Sequence, residues 1–181
     1  MRALVTGGSG FFGSLLIEKL AENNTHIRSF DLSPAEDPPP DVEYVRGDIR
    51  DPAVLRAACV EVDTIFHCVA QQPLSKNPEL MHSVNIEGTR ALLAAASKAD
   101  VRKVIFLSST SIFGIPDDLP ITRNTQPKPV EDYGRTKVAA EAVCREFIAQ
   151  GLDVTLIRPR TILGHGRLGI FQMLFEWIRE G

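Results

Sequence analysis

Tyr133 and Lys137 stand four positions apart in Tyr133-Gly-Arg-Thr-Lys137, a spacing that sets both on one face of a helix. A phenol with a pKa of ~10 is a weak base near neutrality. A neighbouring cation favours the phenolate and lowers that value. Tyr133 then has the means to exchange a proton with a substrate hydroxyl near neutral pH. Upstream, Ser108-Ser109-Thr110-Ser111 closes an apolar run and offers hydroxyls to the same reacting oxygen. A lone Tyr/Lys pair is common on protein surfaces; the hydroxyl run at the end of a strand is what lends this one weight.

The second chemical feature is Thr6-Gly-Gly-Ser-Gly-Phe-Phe-Gly13, which satisfies G-x-x-G-x-x-G from Gly7 and G-x-G-x-x-G from Gly8. It follows one apolar run and opens an amphipathic segment, the context in which such glycines bind a dinucleotide. Gly7 suits the tight turn, Gly10 the close approach of backbone to pyrophosphate, and Gly13 the packing of helix on strand. Asp31 ends the next apolar run, at the ~20-residue offset of a carboxylate that accepts ribose hydroxyls. It would repel a 2′-phosphate, so NAD is expected over NADP, and neither Arg28 nor Ser33 presents an evident phosphate clamp.

Short apolar runs alternate with amphipathic segments, which predicts an α/β fold with a doubly wound parallel sheet, a Rossmann fold. Strands are predicted at 3–6, 27–31, 42–45, 64–69, 104–107 and 154–157. Helices are predicted at 11–22, from Pro52 behind an Asp51 cap, through Lys98 after a loop containing Pro73 and Pro78, at 132–150, and at 170–179. The segment 33–41, with its prolines and acids, reads as an exposed loop.

Composition bounds the function. Hydrophobic residues make up 44% and charged residues 24% of 181 residues, ordinary for a folded globular chain. A net charge of -3 gives no basic footprint for nucleic acid. No apolar run is long enough to span a bilayer, and the N-terminus has no secretory pattern. Cys59, Cys68 and Cys144 read as core fillers in a reducing compartment, so a cytoplasmic location is expected. His26, His67, His82 and His165 form no metal-ligand pattern, and His67 reads as a core histidine with a hydrogen-bond partner.

Taken together, these motifs resemble the extended short-chain dehydrogenase/reductases, the NAD-dependent epimerase/dehydratase family. Thr6–Gly13 is similar to that family's T-G-G-x-G-F-x-G, and Asp63-Thr-Ile-Phe-His67 to its fourth strand. Gly47-Asp48-Ile49 resembles the adenine-side G-D-(I/L), and Asn85-Ile-Glu-Gly88-Thr89 resembles N-x-x-G-T. Ser108 to Gly114 resembles S-S-x-x-V-Y-G, and Arg158-Pro159 with Gly164 resembles R-P-x-x-x-x-G. The matches run in order along nearly the whole chain.

The resemblance implies catalytic roles for Ser109, Tyr133 and Lys137, with Thr110 and Ser111 as competing hydroxyls. Lys137 would lower the pKa of Tyr133 and hold the nicotinamide ribose. Cofactor contacts are implied for Gly7, Gly10, Phe11, Phe12, Gly13, Asp31, Asp48, Ile49, Cys68, Val69, Ala70, Asn85, Tyr133, Lys137 and Pro159. Asn85 is either a support for the active-site backbone or an ordinary polar residue at a helix entry. Two departures stand out. Phe113 replaces the usual Tyr, and Thr161 occupies the place where sugar-nucleotide epimerases often carry Asn, which leans toward the 3β-hydroxysteroid dehydrogenase branch. Thr110-Ser111 replaces the acidic pair of the dehydratases. His165 and Arg167 would suit an anionic substrate, or are simply solvated.

The expected function is an NAD-dependent oxidoreductase or epimerase acting on a secondary alcohol of sugar-nucleotide or steroid-like type. The alternative is a non-enzymatic NAD-binding regulator or scaffold, although such proteins typically lose the Tyr/Lys pair. Residues 1–168 are expected to form the NAD-binding domain and 169–181 the start of a substrate-binding region that is largely absent, so that this length would bind cofactor but turn over poorly. The expected partners are a small-molecule substrate and a second copy of the chain. The homodimer would form through the helices around 78–98 and 132–150, with Ala94-Ala95-Ala96 and Ala139-Ala140 as close-packing faces.

Overall fold

Apolar, β-branched segments form the six strands of the computed structural model, which describes all residues except 24, 34–38, 73–76, 165–169 and 181 and the side chains of 170–174. The strands are β1 (Arg2–Thr6), β2 (His26–Asp31), β3 (Val42–Arg46), β4 (Thr64–His67), β5 (Lys103–Leu107) and β6 (Val154–Ile157). All pair in parallel, in the order β3-β2-β1-β4-β5-β6. The order reverses between β1 and β4, where the two strands pair from Ala3 with Thr64 to Thr6 with His67. At such a reversal the connections depart to opposite sides and leave a crevice beyond the carboxyl ends of the strands.

The helices are α1 (Phe11–Ala21), α2 (Pro52–Ala58), α3 (Pro78–His82), α4 (Thr89–Lys98), α5 (Asp132–Ala149) and α6 (Ile170–Glu180), the last exposed along its described side chains. Asp51 caps α2, its carboxylate accepting from the N–H groups of Ala53 and Val54, with Pro52 in the first turn. The larger core cluster packs Leu4, Phe30, Ile65, Val104 and Phe106 of the strands with Leu92, Leu93 and Val143 of α4 and α5. Each such fully buried side chain contributes about 1.5–3 kcal/mol. On the other face, Ile17 of α1 packs with Val5 and Ile27.

Three expectations need correction. The fourth strand stops at His67, so Cys68, Val69 and Ala70 lie just past the sheet edge, where a chain leaving the ladder can face a ligand. The helix through Lys98 is not uniform: Pro78 begins α3 rather than preceding it, and a π-helical turn (Ser83–Gly88) separates α3 from α4. The alanine faces are also divided. Ala95, Ala96 and Ala140 are buried in the chain's own core, leaving only Ala94 and Ala139 half-buried, because neighbours on a helix point about 100° apart. The loop expected at 33–41 falls largely outside the described residues, as do His165 and Arg167.

Candidate functional site

The glycine loop turns sharply between β1 and α1. Gly7 has φ +75, and its N–H donates to the Phe30 carbonyl at 2.8 Å. Only glycine adopts that conformation without strain. A Cβ at Gly13 would lie 2.1 Å from the Gly7 carbonyl oxygen, so the first turn of α1 is pressed directly onto the loop. Gly10 precedes that turn and supplies no capping side chain. Helix-start N–H groups without a side-chain cap are a natural seat for an anion.

Beyond the strands lies a cleft of about 300 Å³, lined by Gly7, Gly10, Phe11, Phe12 and Gly13 of the loop. Asp31, Asp48 and Ile49 line it on one side, and Cys68, Val69, Ala70 and Tyr133 on the other. Lys137, Asn85, Ser109 and Pro159 are not in its wall. Sequence reasoning missed Gln71, Gln72, Leu107 and Ile162, which also line it.

The Asp31 carboxylate ends β2 and accepts from the Ser9 N–H at 3.1 Å and from Ser33 N–H at 3.4 Å. Arg28 is engaged elsewhere: it forms an ion pair with Glu43 and donates to the Ala58 and Val60 carbonyls. Asp48 pairs with Arg50, whose hydrogen bond holds the carboxyl below its usual pKa. A glycine-lined anion seat, a carboxylate held beside it by Ser9 N–H and a cleft that runs on past both toward Tyr133 fit a dinucleotide.

Lys137 is 3% exposed, and its ammonium donates to the Leu107 carbonyl at 2.7 Å. It lies 4.9 Å from the Phe106 ring centroid and 5.8 Å from that of Tyr133. Burial pushes its pKa down to about 8, against smaller opposing effects of Cys68, Cys144 and Glu141. Ser109 caps the short turn Thr110–Phe113, its oxygen accepting from the Ser111 N–H and its hydroxyl donating to Ser111 Oγ, both at 3.1 Å. Pro159 meets the same turn, its carbonyl accepting from Thr110 N–H at 2.9 Å.

Asn85 sits in the π-turn, 2% exposed. Its Oδ1 accepts from Gln71 N–H at 2.7 Å; its Nδ2 donates to the Gln71 carbonyl at 3.2 Å and to Thr136 Oγ1 at 3.0 Å. Thr136 in turn donates to the Tyr133 carbonyl at 2.8 Å. Of the two readings of Asn85, this geometry favours the backbone support.

His67 extends the network inward. Its Nδ1 meets Thr6 Oγ1 at 2.8 Å and its Nε2 meets Thr89 Oγ1 at 2.9 Å. Because Thr89 gives its own proton to the Asn85 carbonyl at 2.7 Å, its oxygen must accept from His67. The network therefore assigns the proton of a neutral imidazole to Nε2, with Thr6 donating to Nδ1. Among the described residues no cluster suited to a metal ion is present, and no helix is long and apolar enough to cross a membrane.

Comparison with known proteins places this geometry in context. Residues 3–180 match the model of the NAD dependent epimerase/dehydratase family. An uncharacterized protein of Sinorhizobium fredii is 44% identical over 180 residues, covering 99% of this chain and 46% of that protein. A 3 beta-hydroxysteroid dehydrogenase/Delta 5-->4-isomerase of Mycobacterium tuberculosis is 34% identical over 194 residues, covering 99% of this chain and 52% of the relative. A short-chain dehydrogenase/reductase superfamily protein of Agrobacterium tumefaciens, solved with bound NAD, superposes with a TM-score of 0.81 at 32% identity over 87% of this chain and 48% of its own. A UDP-glucose 4-epimerase of Thermotoga maritima, solved with UDP-glucose, gives a TM-score of 0.87 at 27% identity over 97% of this chain and 62% of its own. The chain spans about half the length of the curated relatives it matches. With a glycine-turned cleft at the strand reversal and a sequence match from residue 3 to residue 180, the chain belongs to the NAD dependent epimerase/dehydratase family.

Proposed function

We propose that this chain is the cofactor-binding and chemical part of an NAD-dependent oxidoreductase or epimerase that acts on a secondary alcohol. The single observation carrying the reading is the buried Lys137 ammonium beside the ring of Tyr133, which itself lines the cleft. A cation there favours the phenolate of Tyr133, so this phenol can accept and return a hydroxyl proton near neutral pH. Ser109 orients the substrate oxygen, and Asn85 keeps the Gln71 backbone and the Tyr133 turn in place. Gly7, Gly10, Phe11, Phe12 and Gly13 hold the pyrophosphate, Asp31 the adenosine ribose, and Asp48 and Ile49 the adenine. Cys68, Val69, Ala70 and Pro159 border the nicotinamide half. NAD, when bound, supplies a hydride acceptor.

The substrate is a steroid-like alcohol or a sugar nucleotide. The similarity to the mycobacterial hydroxysteroid dehydrogenase and the Thr161 substitution favour the first; the likeness to the UDP-glucose epimerase keeps the second. Residues 1–168 form the cofactor domain in this reading, with 169–181 opening the substrate-binding region. Two copies would pair through the helices around 78–98 and 132–150, and the three free cysteines suit a reducing cytoplasm.

Turnover of a 3β-hydroxysteroid with NAD, and interconversion of UDP-glucose, distinguish the substrate classes. In a full-length form, Tyr133→Phe tests the chemistry: kcat for the accepted substrate should fall about 10²–10⁴-fold. Unchanged turnover would remove Tyr133 from the mechanism.

A further inference from the structure

The stripe of α5 that carries Tyr133 and Lys137 continues one more turn to Glu141. This carboxylate is 1% exposed and belongs to none of the steps above. Ser108 Oγ donates to its Oε1 at 2.7 Å. Arg158 donates from Nε to Oε1 and from Nη2 to Oε2, each at 2.7 Å. Arg145 Nη2 donates to Oε2 at 2.9 Å. Ser108 follows β5 and Arg158 follows β6, so one side chain of α5 grips the carboxyl edge of two neighbouring strands.

The grip belongs to a longer zipper. Lys137 holds the Leu107 carbonyl, one residue before Ser108. Nearer the helix start, Gly134 packs so tightly on the Ser111 carbonyl that a Cβ would lie 2.5 Å from its oxygen. Ser109 is thereby bracketed. Its predecessor is tied to Glu141, and its successor, Thr110, donates to the carbonyl of Pro159 beside Arg158.

A buried ion pair is a poor source of net stability, since its desolvation offsets most of the attraction; fixing register is its best-attested use. Here the pair has a register to fix. We propose that Glu141 is a positioning residue whose clamp on Ser108 and Arg158 sets α5 against the β5–β6 edge, and so holds Tyr133 and Lys137 in place relative to Ser109. This rests on the reading of those three as the chemical site.

The clamp also has an electrostatic reach. Burial alone would raise the Glu141 pKa, but the bonds from Arg158 and Ser108 and the charges of Arg158 and Arg145 hold it below its ordinary value. The charged groups facing it are Arg145 on its own helix and Arg158 from β6, with Lys137 one turn away. Around Lys137 stand Cys68 and His67 from the end of β4, and Cys144 on α5. Against the burial that disfavours it, the Lys137 ammonium is favoured by Cys68, Cys144 and, more weakly, Glu141.

The chain contains two tyrosines, which makes the proposal measurable without turnover. Tyr44 lies on β3, at the opposite edge of the sheet from β6, and serves as the internal control. In the 3-fluorotyrosine-labelled chain, Glu141→Gln and Ser108→Ala should each shift the Tyr133 fluorine resonance and leave that of Tyr44 in place. Glu141→Gln should also move the midpoint of the Lys137 side-chain carbon titration downward. Folded variants with an unmoved Tyr133 resonance would overturn the proposal, as would equal shifts at both tyrosines, which would mark general loosening. Should Glu141→Gln fail to fold, Ser108→Ala decides alone, because it removes one hydrogen bond and leaves the carboxylate paired with its arginines. Failure of the functional reading would instead appear as undiminished turnover in Tyr133→Phe, with these resonance shifts intact.

Discussion

The imidazole Nδ1 of His67 lies 2.8 Å from the Thr6 hydroxyl, so the final residues of two adjacent central strands meet side chain to side chain inside the core. Burial, reinforced by the Lys137 charge, pushes the His67 pKa down to about 3 from its ordinary value of 6.5. Between those values the unfolded chain takes up a proton that the folded chain refuses. Stability from this group is therefore complete above pH 6.5 and falls as the pH drops toward 3, by up to about 1.4 kcal/mol per pH unit. Thermal melts from pH 7 to 4 should show His67→Gln losing less with acid than the parent chain. Parallel curves would refute the assignment.

Lys137 gives the opposite end of the pH scale. The folded chain releases its proton near 8, whereas the unfolded chain holds it to about 10.5. Across that window the unfolded state binds more protons, so this group adds stability as pH rises, and its ammonium costs about 3 kcal/mol below it. The lost hydrogen bond to Leu107 offsets roughly 1–3 kcal/mol of the relief in an apolar variant. Lys137→Met should thus melt no lower than the parent at pH 7, and its relative stability should decline from pH 8 to 10.5. A large loss at pH 7 that stays constant with pH would contradict this.

At Gly13 the expected effect is steric. A methyl group would overlap the Gly7 carbonyl oxygen at 2.1 Å and approach the Gly8 Cα at 2.8 Å, both of them backbone atoms that cannot rotate away. Gly13→Ala should cost about 1–3 kcal/mol of stability and weaken NAD binding more than ten-fold by displacing the loop. Calorimetric titration with NAD, alongside a denaturant melt, reads both effects. Wild-type affinity in the alanine variant would mean that the loop does not seat the phosphates.

Asp31 faces Arg46 across the β2–β3 ladder, and the Arg46 guanidinium donates to the Leu32 carbonyl at 3.1 Å. Removing the carboxylate therefore leaves a cation at the point where Asp31 would hold the ribose in the proposed reading. Asp31→Ser should weaken NAD by about 10–100-fold, the worth of a hydrogen bond to a charged group. It should also bring NADP to comparable affinity. Adding Arg46→Ala should then remove the gain for NADP. Unchanged NAD preference in Asp31→Ser would place the ribose elsewhere.

The parts that declared themselves in sequence are those governed by local rules. Glycine spacing marked the Gly7 turn and the Gly13 contact, and apolar alternation marked six strands whose boundaries shifted by only a few residues. Tyr133 and Lys137 were visible because a helical repeat of four is a local property. Glu141 obeys the same repeat, yet its meaning depends on Ser108 and Arg158, 33 and 17 residues away, which only the assembled sheet brings together. The π-turn escaped notice because no residue type marks the wider turn in Ser83–Gly88; it follows from how the segment packs. Likewise, Gln71 acts through its backbone, so its side-chain type carried no signal.

The reversal of strand order at β1 and β4 divides the labour of the molecule. The glycine turn and Asp31 issue from the β1–β3 half, whereas Ser109, Tyr133, Lys137 and Glu141 issue from the half built on β4–β6. The direct bridges across that seam include the Thr6–His67 contact and the ladder itself. Mutations of Asp31 and of the α5 residues, which share no contact, should therefore combine nearly independently, whereas Thr6 with His67, and Gly7 against Cys68 and Val69, are places where that independence breaks down.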